Sequence, residues 1–151
     1  MLRRLLFFSS WFAGVAAISA CGSDGSSDGG SCAADTKKDV YAPGLTKTDG
    51  EIAVRVVDAA PAPPAMGTNA LTFEIASADR PVDDAKLTVT PFMPAHGHGS
   101  GIDPVVTSLG GGRYRVADVY FMMPGTWTLT VHVERPGAAA REVVFAFCLE
   151  R

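Results

Sequence analysis

Two of the chain's three histidines, His96 and His98, stand one residue apart in the stretch TPFMPAHGHGSGIDP, residues 90–104. Imidazole nitrogen binds soft and borderline metals when it is neutral. Gly97 and Gly99 flank the second ring, and Met93 lies three residues before the first. Two more thioethers, Met122 and Met123, occur together in the stretch MMPG, followed by Trp127. Thioether and imidazole together suit Cu(I), and imidazole also suits Cu(II). Met93, His96, His98, Met122 and Met123 are therefore the candidate copper ligands, with Met66 the least secure addition and Trp127 a candidate cover. The opposing reading is structural. Methionine at a strand end packs the edge of a core, and a His-x-His in a glycine loop is also what an exposed turn looks like.

Other chemistry finds little support. No serine falls in a recognised nucleophile motif with a histidine and an acid, so the chain reads as non-enzymatic. Asp83, Asp84 and Asp103 are scattered acids, and PVDDA reads as a hairpin turn better than a calcium loop. The triple glycine at 110–112 reads as a turn and not as a phosphate cradle. The formal net charge is −3, which offers no basic face for nucleic acid.

The elements that must position these residues are strands. EIAVRVVD sets Ile52, Val54 and Val56 on one side; ALTFEIAS does the same with Leu71, Phe73 and Ile75; AKLTVTPF gives Leu87 and Val89. GRYRVADVYF gives Tyr114 and Val116, and TWTLTVHVE sets Trp127, Leu129, Val131 and Val133 against Thr128, Thr130 and His132. REVVFAFCLE closes the chain, and VVTSL fits before the triple glycine. Alternation with β-branched and aromatic residues is the strand signal, and the runs between are rich in turn formers. About seven strands at this spacing predict an all-β, immunoglobulin-like antiparallel β-sandwich over residues 50–151. In an antiparallel succession, alternate loops fall at one end. That rule brings Met66, the Met93–His98 loop and the Met122–Met123 loop together.

The N-terminus reads as a targeting segment. Arg3 and Arg4 precede the apolar run LLFFSSWFAGVAAI, so residues 1–20 have the form of a secretory signal. ISAC, residues 18–21, resembles the lipobox of bacterial lipoproteins, which implies cleavage before Cys21, lipidation of its thiol, and anchoring to a membrane. Losing residues 1–20 removes two arginines and takes the formal charge from −3 to −5. Residues 21–49 begin with Gly, Ser and Asp in the proportions of a tether. With Cys21 lipidated, Cys32 and Cys148 remain, a pairable number outside the cytoplasm. Either they form a disulfide or they are two free thiols.

RPVDDAKLTVTPFMPAHGHG and GGRYRVADVYFMMPGTWTLTVHV together resemble the YtkA-like and FixH-like domains of bacterial envelope proteins. The shared pattern is a strand ending in Met-Pro, a Gly/His-rich loop, Gly-x-Tyr, and a Gly-x-Trp strand. The resemblance covers about residues 70–134 and implies an extracytoplasmic β-sandwich, with copper handling and respiratory-oxidase maturation among the roles of some members. This chain has a lipobox where FixH-like members have a membrane helix. The expectation is a lipid-anchored envelope domain, facing the periplasm or the exterior, that binds copper as a chaperone or scavenger. The alternative is a metal-free structural module that docks an envelope protein partner.

Overall fold

A computed structural model describes Cys32 and residues 35–150. The signal segment, Cys21 and residues 22–31 of the tether lie outside the described residues. The seven expected strands are present as β2 (Ile52–Ala60), β3 (Gly67–Ser77), β5 (Lys86–Met93), β7 (Val105–Gly110), β8 (Arg113–Phe121), β9 (Gly125–Glu134) and β10 (Arg141–Leu149). Three short strands join them: β1 (Thr46–Asp49), β4 (Arg80–Pro81) and β6 (His98–Gly99). One sheet runs β1-β2-β3-β8-β7, with β4 on β3; the other runs β10-β9-β5-β6. All pairings are antiparallel.

The core forms where the two inner faces meet. Val54, Phe73, Val116, Leu129, Val131 and Phe145 are fully buried, and the Phe73 and Phe145 rings stack across the sheets at 5.6 Å. This is the packing that strict alternation anticipates. The alternation breaks in β2, where the register to β3 shifts between Val56 and Asp58, and again in β8. The β3–β8 register shifts between Asn69 and Leu71, and Asp118 takes φ +57°. Val116 and Val119, three residues apart, consequently both point inward.

The fold begins earlier than residue 50. Residues 46–49, expected in the tether, pair with Ile52–Arg55 as β1, and Tyr41 and Leu45 pack on the core. Upstream of β1 the chain straps along β10: the Asp39 N–H donates to the Ala146 carbonyl at 2.6 Å, and the Ala146 N–H donates to Asp39 Oδ2 at 2.7 Å. The Asp35 carboxyl is held below the ordinary carboxylate range, first by the Thr126 hydroxyl and then by the Lys37 N–H. At the head of this strap Cys32 is joined to Cys148 by a disulfide, with 5.5 Å between the Cα atoms.

Asp83 of the PVDDA turn has a structural task. Asp83 Oδ1 accepts the Gly112 N–H at 2.6 Å. Gly112 has φ +73°, and a Cβ there would lie 2.6 Å from the Ile75 carbonyl oxygen, so only glycine fits between the turn and β3. Beside it, Tyr114 buries its ring and donates its hydroxyl to the Val82 carbonyl at 2.8 Å. Burial, above all, raises its phenol above the ordinary value.

Candidate metal centre

The His-x-His loop is a tight hairpin. Met93 at the end of β5 pairs with His98 of β6, and Phe92 with Gly99. The Met93 carbonyl accepts the N–H groups of His96 at 3.1 Å and Gly97 at 2.9 Å, which closes the turn. Gly97 takes φ +67°, a conformation that favours glycine. Past β6, the buried Ser100 hydroxyl donates to the Ile102 carbonyl at 2.8 Å and receives the Ile102 N–H at 3.3 Å. The loop that holds both histidines is thus pinned at each end by hydrogen bonds.

The two rings lie side by side, with centroids 5.8 Å apart. His96 is exposed and His98 half-buried. His98 sits edge-on against Trp127, with centroids 5.9 Å apart. Trp127 is fully buried; its ring meets Phe121 at 5.4 Å and its Nε1–H donates to the Met123 carbonyl at 3.0 Å. Trp127 therefore forms the floor beneath His98 and ties it to the Met122–Met123 loop.

The tautomer of His98 follows from its partner. Its Nδ1 lies 2.9 Å from the Gly99 carbonyl oxygen. A carbonyl can only accept, so Nδ1 carries the proton and donates. Nε2 is then left with its lone pair, directed away from that hydrogen bond. A metal-binding histidine is commonly prepared in this way, since the hydrogen bond fixes the ring and its tautomer.

The methionines separate into two kinds. Met93 is 2 % exposed, and its Cε fills the space above Gly125, where a Cβ would come within 2.4 Å of it. Met93 therefore packs the core, in keeping with the structural reading of a strand-end methionine and not with a ligand's place. Met123 is half-buried against the core, and Met122 and Met66 are more than two-fifths exposed. Gly67 pairs with Phe121, so Met66 and Met122 follow immediately beyond the last pair of that ladder. The loops expected to share an end do share it.

Among the described residues no three His, Cys, Asp or Glu side chains come together as a metal site. Two imidazoles with thioethers nearby are what this end of the sandwich offers. His132 lies elsewhere, on the outer face of β9, with Nδ1 3.2 Å from Glu142 and Nε2 3.3 Å from Glu134. The Gly99 carbonyl was not legible as a site group, because a backbone acceptor leaves no side-chain signal.

The domain is an antiparallel β-sandwich with the His96–His98 hairpin and the Met122–Met123 loop at one end. The chain belongs to the YtkA-like family, whose model matches residues 46–132. Among solved structures, a DUF4426 family protein from Pseudomonas aeruginosa PAO1 is similar in fold, with a TM-score of 0.51 and 18% identity, covering 70% of this chain and 99% of that one. A copper-bound variant of FetP from uropathogenic Escherichia coli strain F11 aligns with a TM-score of 0.49 and 14% identity, over 73% of this chain and 92% of that one. No curated protein matches the chain.

Proposed function

We propose that this chain is a lipid-anchored, non-enzymatic domain of the bacterial envelope that binds Cu(I) through His96 and His98, with a thioether from Met122 or Met123, in a chaperone or scavenging role. The observation that carries the copper reading is the preparation of His98. Its Nδ1 is committed to the Gly99 carbonyl, its Nε2 has no hydrogen-bond partner among the described residues, and a second imidazole stands beside it. Two imidazole nitrogens each about 2 Å from one ion place their ring centroids about 5–6 Å apart, from a tetrahedral to a linear arrangement, a range that contains the 5.8 Å found here. The soft thioethers of the neighbouring loop favour the reduced ion. An ion held by few ligands at an exposed end of a domain can be handed to another protein, which suits a carrier. The anchor reading rests on ISAC followed by a Gly/Ser/Asp-rich stretch.

The copper reading is tested by competition against a chromophoric Cu(I) chelator. The wild-type protein should withdraw copper from the chelator. His96→Ala/His98→Ala should bind on the order of 100-fold more weakly or worse, while its melting temperature stays near wild type because neither ring is in the core. Acid should weaken wild-type binding, since a protonated imidazole has no lone pair to give. Thioethers do not titrate, so a weak residual affinity should persist. Equal competition by both proteins, or none by either at micromolar concentration, would reduce the loop to a turn and leave the interaction-module reading. The anchor is tested apart from copper. Cys21→Ser should leave the membrane fraction or remain unprocessed, and an unmodified mature N-terminus on the wild type would refute lipidation.

A further inference from the structure

The strand edges of this sandwich are not equally protected. The outer edge of β10 is capped by side chains of the strap and β1. The Glu142 N–H donates to Asp49, the Val144 carbonyl accepts from Lys47, and the Ala146 N–H donates to Asp39. The β1 edge itself carries Lys47 and Asp49. β5 carries Lys86 and Pro91, and residues 99–104 lie beside its stretch 88–91. These are the devices by which proteins stop edges from pairing: charge, proline and cover.

Among the described residues β7 carries neither charge nor proline within the strand and no further strand on its free edge, and its ladder to β8 is irregular only past Ser108. Its six residues, VVTSLG, end the larger sheet. Val105 and Leu109 are 54% and 56% exposed, and Ile102 just before the strand is 45% exposed. Three of the eight exposed large hydrophobics among the described residues thus lie within eight positions of this edge.

We propose that β7 pairs antiparallel with β7 of a second copy of this chain, joining two sheets into one across a twofold axis near Thr107. Charge selects this occupant. Asp103 stands at the start of β7, while Arg113 of β8 pairs with Gly110 at its end. Antiparallel pairing about Thr107 carries Asp103 of each copy to the Gly110 end of the other, where Arg113 waits on the adjacent strand. Parallel pairing would set Asp103 against Asp103. Arg113 meets Glu74 through Nε, at 3.4 Å, and its side chain is half exposed, so among the described residues its terminal nitrogens have no partner of their own. The contact is isologous and closes at two copies. A six-residue edge is smaller than a standard interface of about 800 Å² per partner, so the dimer forms reversibly with concentration.

Sedimentation velocity of the purified full chain tests this. The wild type should move from monomer towards dimer between micromolar and near-millimolar concentration. Thr107→Lys sets two like charges face to face at the axis and should raise the dimer dissociation constant at least about tenfold, while lowering the melting temperature only slightly, because Thr107 is exposed and the new lysine faces Arg115 across the ladder. Asp103→Lys and Arg113→Glu should each weaken the dimer, and the two together should restore it. A wild type that stays monomeric throughout, a dimer untouched by Thr107→Lys, or a double variant no tighter than the singles would each overturn the pairing.

Discussion

Replacing Trp127 with alanine should destabilise the domain by about 3–5 kcal/mol, the range for deleting a large buried aromatic. The ring is fully buried, packs on Phe121, and donates its indole N–H to the Met123 carbonyl. Its loss opens a cavity and removes that carbonyl's donor together. Thr128, the next residue, faces the other way and is half-buried, with its hydroxyl on the Phe92 carbonyl at 3.2 Å. Thr128→Ala should cost about 1 kcal/mol, the net value of one such hydrogen bond. Chemical denaturation of both variants checks the contrast. Equal losses would mean that the two faces of β9 had been exchanged, which a one-residue slip of register would do. Trp127→Ala should also loosen His98, whose ring lies against the indole.

Breaking the Cys32–Cys148 link should have an effect of similar size. The two residues are 116 positions apart, and closing so long a loop removes up to about 4–5 kcal/mol of unfolded-state entropy. The link also holds the strap against β10, where Asp39 exchanges two hydrogen bonds with Ala146 and Tyr41 meets Phe147 edge-on at 6.2 Å. Cys32→Ser/Cys148→Ser should therefore melt lower by about 10–20 °C, and reductant should lower the wild-type melting temperature towards the same value. A double variant that melts with the oxidised wild type would show that the strap contributes nothing across the bridge.

Legibility in the sequence followed the physics of each element. Strands that bury one face leave an alternating trace, so β2, β3, β5, β8, β9 and β10 could be read; β7, half-buried only at Val106, could be placed only by its β-branched run before the triple glycine. β1 buries no large apolar side chain: TKTD is held by its ladder to β2 and by contacts to β10, which leave no pattern in composition. β4 and β6 are two residues each, too short to carry a period. The bulge at Asp118 was hidden because a single residue at positive φ shifts the faces without altering residue types. Met93 was legible in principle. Alternation from Leu87 and Val89 through Pro91 reaches it on the inward face, which supports the core-edge reading that stood beside its thioether chemistry. The histidines could be named from their types and spacing. Their preparation could not, because it depends on a hairpin register and on one backbone carbonyl.

The central claim is that His98 meets copper through Nε2 while Nδ1 stays bonded to the Gly99 carbonyl. Cu(I) is diamagnetic, so imidazole ¹⁵N resonances of the labelled protein can be followed as it is added under anaerobic conditions. Before copper, Nδ1 of His98 should appear as the protonated nitrogen and Nε2 as the bare one. On addition of one equivalent, Nε2 of His98 and one nitrogen of His96 should shift strongly, Nδ1 of His98 should keep its proton, and His132 should not move. Copper that binds while both His98 nitrogens stay unshifted, or a His98 that starts with its proton on Nε2, would contradict the account.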